Sequence, residues 1–187
     1  MATEVCKGQQ ADMDFEQAKD VTETEYVEMI RRKTAVLLAT ALKFGARLGG
    51  APAEEQDILY KYAIEVGIGF QMMDDYLDTY GDESFGKRIG GDILEDKKTW
   101  LYIKAFELAS PGEKAVMRNW HGHTDSETKK IDAIRSVYTH LGVDKLILEE
   151  IEHRFNSADQ YIDQLASSNA DFIALKGYVG ALSRRNT

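Results

Sequence analysis

The sequence predicts an all-α protein, and three observations predict it. Apolar residues recur at spacings of three and four along nearly the whole chain, and the period-2 alternation of a half-buried strand is almost absent. Proline, which breaks helices, occurs only at Pro52 and Pro111 in 187 residues. Glycines and capping residues fall at the ends of the periodic segments.

The first helix is expected from Thr3 to Ala18. A second runs from Glu23 to Leu48, closed by Gly49 and Gly50 with Pro52 beyond them. A third runs from Glu54 to Tyr80 and stops at Gly81. A charged, glycine-rich loop follows, from Gly81 to Gly91. Asp92 is placed to cap a fourth helix, from Ile93 to Ala109. Ser110-Pro111-Gly112-Glu113 has the form of a capping box with proline at the first helical position, and opens a short helix. Asn119 to Ser126 reads as a polar loop. The last three helices span Glu127 to Leu141, Lys145 to Ser167 and Asp171 to Leu182.

The formal charge of −9 argues against nucleic acid, whose binding needs a basic face to release counterions. One cysteine, Cys6, allows no intrachain disulfide and suits a reducing cytoplasm. No apolar run is long enough to span a bilayer, and residues 1–10 lack the order of a secretory signal. The expected location is the cytoplasm.

The chemistry concentrates in the third helix. Gln71, Asp74, Asp75 and Asp78 are three, four and seven residues apart, so they share one face, with Gly67 one turn earlier where a missing side chain admits a neighbour. The other faces carry Ile64, Ile68, Phe70, Met72, Met73, Tyr76, Leu77 and Tyr80. Burying adjacent carboxylates without a partner costs several kcal/mol, roughly. A hard divalent cation such as Mg²⁺ removes that conflict. Two lysines stand where leucines would be expected. Lys33, next to Thr34, interrupts the stripe Tyr26, Met29, Ile30, Leu37, Ala41, Phe44 and Leu48, and Lys97 interrupts the stripe Ile93, Leu94, Trp100, Leu101 and Leu108. The loop adds Lys87 and Arg88 among Gly81, Gly86, Gly90 and Gly91, and the first helix places Gln9 and Asp12 three apart. Carboxylates for cations and cations for an anion are satisfied together by a metal-chelated diphosphate.

In order, these residues resemble the C-terminal part of a trans-isoprenyl diphosphate synthase, the polyprenyl synthetase family. Phe70-Gln71-Met72-Met73-Asp74-Asp75-Tyr76-Leu77-Asp78 is similar to its second aspartate-rich motif, F-Q-x-x-D-D-x-x-D. Gly86-Lys87, Gly91-Asp92-Ile93 and Lys97 resemble its G-K…G-x-D-I…K segment. Lys33-Thr34 resembles its K-T pair, and Gly8-Gln9 with Asp12 its G-Q-x-x-D segment. The resemblance implies an isoprenoid-synthase helical fold and Mg²⁺-dependent condensation of an allylic diphosphate with isopentenyl diphosphate, in a protein that is a homodimer. It implies metal ligation by Asp74, Asp75 and Asp78. It assigns the allylic diphosphate to Lys33, Lys87 and Lys97, the flank of the allylic cation to Thr34 and Gln71, and the cavity lining to Gln9 and Asp12.

One departure qualifies this. The family's first aspartate-rich motif has no counterpart upstream of Asp74: Asp12-Met13-Asp14 does not fit it and Asp20 stands alone. The N-terminal helices and the isopentenyl diphosphate site are also missing, so the chain is expected to be an inactive C-terminal fragment. A non-catalytic partner subunit and a terpene cyclase are the alternatives. Product chain length is not legible.

Overall fold

The computed structural model describes residues 1–81, 89–123, 126–166 and 170–183. Among the described residues there is no strand. The α-helices are α1 Ala2–Gln17, α2 Glu23–Ile30, α3 Val36–Leu48, α4 Ala53–Tyr80, α5 Gly91–Leu94, α6 Trp100–Leu108, α7 Pro111–Trp120, α8 Glu127–His140, α9 Val143–Ala166 and α10 Ala170–Ser183. The all-α expectation holds. The capping box also forms: Ser110 accepts from the Glu113 amide and Glu113 accepts from the Ser110 amide.

Two expected helices are divided. The second is interrupted by a π-helical turn, Arg31–Ala35, in which the Val36 N–H donates five residues back to the Arg31 carbonyl. The wider turn breaks the 3.6-residue register. Ahead of it Tyr26, Met29 and Ile30 are buried; Ala35 at its end is buried too, as are Val36 and Ala39 beyond it. Leu37, Phe44 and Leu48, expected on the buried stripe, are exposed. The fourth helix is broken into α5 and α6. Asp96 takes a left-handed conformation (φ 55°), and Thr99 starts a new helix by accepting from the Tyr102 amide at 3.5 Å. Asp92 therefore does not cap a helix; it lies inside α5, whose cap position is Gly90 at φ 81°.

The chain divides into two compact units. One comprises Met1–Ala11, Val27–Gln71 and Glu150–Thr187; the other comprises Asp12–Tyr26 and Met72–Glu149. The core of the first unit is Leu59, Tyr62 and Val66 of α4 against Ala158, Ile162 and Leu165 of α9, with Leu42 and Ala46 of α3 and Leu175 of α10 beside them. Its helices approach closely at two glycines. A Cβ on Gly8 of α1 would strike the backbone of Arg32 and Lys33, and one on Gly67 of α4 would lie 2.6 Å from Ala35 Cα. Both contacts fall on the π-helical turn. In the second unit, α8 packs against α5, α6 and α7. Trp100, Leu101, Met117, Ile134 and Tyr138 are buried there.

Arginines anchor the start of the π-helical turn. Glu28 accepts from Arg31 Nε and Arg32 Nε, each at 2.6 Å. Hydrogen bonds from Arg31 hold the Glu28 carboxyl down to about 2, from an ordinary value of 4.5, with burial opposing and Arg32 assisting. A depressed carboxylate stabilises the folded state above its unfolded pKa, and that stability is lost as pH falls from about 4.5 to about 2. The side chain keeps 40% exposure, so the effect is under about 1 kcal/mol. The urea midpoint of Glu28→Gln is expected to lie below the wild-type midpoint at neutral pH. That gap should close in acid; a gap unchanged across the acid limb would show that the ion pair contributes nothing.

Candidate functional site

In the second unit the last turns of α4 carry the carboxylates. Asp75 is buried and accepts a 2.6 Å hydrogen bond from the Tyr26 hydroxyl, itself only 1% exposed. Burial pushes the Tyr26 phenol far above its ordinary range, and the carboxylates of Asp75, Asp92 and Asp12 push it further. Tyr26 therefore remains a proton donor at any working pH. Tyr26 was not among the residues expected here. Its apolar neighbours in sequence gave the pattern of an ordinary core position, and only the tertiary contact reveals its partner.

Asp78 is tied twice to the segment that follows. Its carbonyl accepts from the Gly90 N–H at 2.6 Å, and its Oδ2 accepts from the Asp92 N–H at 2.9 Å. A Cβ on Gly91 would sit 3.1 Å from Asp78 Oδ1, so glycine allows the carboxylate to lie against the backbone. Burial raises the Asp78 pKa. The Asp92 amide opposes that shift, the carboxylates of Asp92 and Asp74 add to it, and Lys97 opposes it. Asp74, half-buried, completes this crowd of negative charge.

Lys97 does not interrupt an apolar helical stripe, as the sequence suggested. It sits in the non-helical link between α5 and α6, with Nζ 2.7 Å from Asp92 and 3.0 Å from Glu95. Burial disfavours its ammonium, but the bonds to Asp92 and Glu95 outweigh this and its pKa is raised. It is a fixed cation.

The link itself is held by a buried ion pair. Lys130 of α8, 1% exposed, places Nζ 2.7 Å from Asp96 Oδ1 and donates to the Leu94 carbonyl at 3.2 Å. Asp96 Oδ2 accepts from the Gly122 N–H at 2.8 Å. A lysine in the polar start of α8 carried no sequence signal of this role.

In the first unit, Lys33 and Thr34 occupy the π-helical turn, and Thr34 Oγ1 donates to Gln71 Oε1 at 2.9 Å. Gln9 is exposed on α1. Asp12 belongs to the second unit, where its charge reaches Tyr26. Lys87, with Gly86 and Arg88, lies outside the described residues, as do Arg184 and Arg185.

Among the described residues no three His, Cys, Asp or Glu side chains form a preassembled metal set. The donors are nonetheless hard oxygens in a crowd where burial first, and the neighbouring carboxylates after it, raise Asp78. Mg²⁺ takes one or two protein carboxylates and completes its octahedron with water and phosphate oxygens, so the residues fit that ion.

The family model for polyprenyl synthetase matches residues 1–140. Geranylgeranyl diphosphate synthase of Methanosarcina mazei is 41% identical over 163 residues, which is 87% of this chain and 46% of that protein. A short chain isoprenyl diphosphate synthase of Methanothermobacter thermautotrophicus is 48% identical over 124 residues, 66% of this chain and 38% of its own length. A crystal structure of geranylgeranyl pyrophosphate synthase superposes with TM-score 0.89 at 38% identity, over 100% of this chain and 58% of that one. The geranylgeranyl pyrophosphate synthase of Corynebacterium glutamicum, complexed with isoprenyl diphosphate and magnesium, gives 0.89 at 27% identity, over 100% and 53%. This chain thus spans about half the length of the curated relatives it matches. It belongs to the polyprenyl synthetase family.

Proposed function

We propose that this chain provides the second-aspartate wall of a cytoplasmic, homodimeric trans-prenyltransferase, which condenses isopentenyl diphosphate with an allylic diphosphate into a longer prenyl diphosphate. The observation that carries this reading is the tethering of Asp78 to Gly90 and Asp92, with Lys97 on Asp92. It sets anionic and cationic groups side by side, as a metal-chelated diphosphate requires. The solved relative bound to isoprenyl diphosphate and magnesium supports the ligand class. No described helix is long and apolar enough to cross a membrane.

Asp74 and Asp78, with Asp75 beside them, would hold Mg²⁺, whose Lewis acidity draws charge from a departing diphosphate. Lys97, Lys33 and Lys87 would bind and orient the diphosphate. Thr34 gives its proton to Gln71, so its oxygen presents lone pairs to a developing allylic cation. Tyr26 keeps Asp75 in one rotamer.

The test is calorimetric titration of the purified chain with inorganic diphosphate. Saturable binding is expected in Mg²⁺ and not in EDTA, with Asp74→Ala weakening it about tenfold or more, the equivalent of about 1.4 kcal/mol. A chimera in which this chain replaces the matching part of the Methanosarcina mazei enzyme is expected to elongate an allylic primer, and the chain alone to show no turnover. Binding indifferent to both EDTA and Asp74→Ala would refute the assignment.

A further inference from the structure

The second unit holds a cavity away from the residues assigned above. Its volume is about 430 Å³, and it lies between the end of α1 with its following turn, the start of α6 and the end of α7. That volume falls within the range of small-molecule sites, roughly 300–1,000 Å³. None of Asp74, Asp75, Asp78 or Lys97 lines it.

Lys98 lines this cavity and is 8% exposed. Among the described residues its ammonium makes no hydrogen bond or ion pair; its one contact is the Tyr102 ring, 5.9 Å from the centroid. A ring face is a weaker partner for an ammonium than a charged oxyanion is. An anion in the cavity would supply the partner it lacks.

The neighbouring groups are already arranged for one. Tyr102 and Phe106 stack at 5.9 Å with 13° between their planes. The Arg118 guanidinium rests 5.2 Å from the Phe106 centroid. Two adjoining rings thus steady two cations, Lys98 at the buried end and Arg118 at the exposed rim, where Lys19 and His121 also stand. Glu16 and Asp20 line the rim too. Lys19, Lys98 and Arg118 outnumber these two carboxylates by one charge, and only a cation is buried.

We propose that this cavity binds a small organic phosphate, its phosphate bridging Lys98 and Arg118 and its body filling the remaining volume. A multiply charged oxyanion matches two cations of which one is a planar fork. The volume exceeds what a lone phosphate needs.

Phenyl phosphate is the probe, titrated in EDTA and followed by amide NMR. Saturable shifts are expected at residues 98–102 and 118–121. Lys98→Met, which keeps the buried stem, should weaken binding about tenfold, and Arg118→Gln, on the exposed rim, several-fold. Asp74→Ala should leave it unchanged, which separates this site from the metal-dependent one. Inorganic phosphate is expected to bind more weakly at the same residues, and benzoate more weakly still if the head group is read as phosphate. No saturation by about 10 mM, or undiminished affinity in Lys98→Met, overturns the proposal.

Discussion

Replacing Lys130 with methionine is expected to lower the melting temperature by roughly 6–12 °C, from a loss of about 3 kcal/mol and the usual scaling for a chain of this size. The substitution keeps the stem and removes only the ammonium. Asp96 then retains the Gly122 amide and the His121 ring, with Nδ1 at 3.5 Å, but loses the amine 2.7 Å away, and its carboxyl is only 22% exposed. The Leu94 carbonyl loses its 3.2 Å donor as well. A carboxylate stripped of its ammonium, not lost packing, causes the loss, and a second substitution isolates it. Asp96→Gly removes the charge and suits the left-handed backbone at φ 55°. Lys130→Met combined with Asp96→Gly should therefore be more stable than Lys130→Met alone. A single variant melting within about 2 °C of wild type would show that the pair is neutral. The pair also holds the link carrying Lys97, so Mg²⁺-dependent diphosphate binding should weaken in Lys130→Met and recover in part in the double variant.

Gly67→Ala is expected to cost about 2–3 kcal/mol, at the upper end for overpacking. The added methyl would lie 2.6 Å from Ala35 Cα and 2.7 Å from Ala35 Cβ. Ala35 is fully buried in the π-helical turn and has no flexible end to swing aside. One of the two helices must move, and with it Thr34 and the bond to Gln71. Gly45→Ala is the control, because a methyl there meets nothing within 4 Å. It should stabilise by about 0.5–1 kcal/mol, since glycine in a helix interior is unfavourable relative to alanine. Denaturant midpoints that move in opposite directions for the two variants confirm the close approach. Equal small shifts would contradict it.

The contrast between these two glycines shows what could be read without coordinates. Gly67 was legible as a point of close approach because it continued the face of Gln71, Asp74 and Asp78. Helix ends were legible wherever a local chemical signal marked them, as at Ser110 to Glu113 or at the stop after Leu48. The π-helical turn was not, because Arg31 to Ala35 is good α-helical sequence and its close neighbours, Gly8 and Gly67, are distant in sequence. The break between α5 and α6 was hidden for a related reason. Asp96 turns left-handed because Lys130 and Gly122, both distant in sequence, hold its carboxylate. That Asp74, Asp75 and Asp78 lie together at the end of one helix followed from their spacing. The partners that orient them did not, since Tyr26 reaches Asp75 across 49 residues.

The double tether of Asp78 bears on how the entropic cost of binding should divide. Its main chain and its carboxylate are both engaged by the Gly90 and Asp92 amides before any ligand arrives. Immobilising a side chain on binding ordinarily costs about 0.5–1.5 kcal/mol of entropy. For Asp78 that ordering belongs to folding instead. A cation meeting it would encounter a rotamer already chosen, and the entropic penalty of association would fall mainly on the ligand.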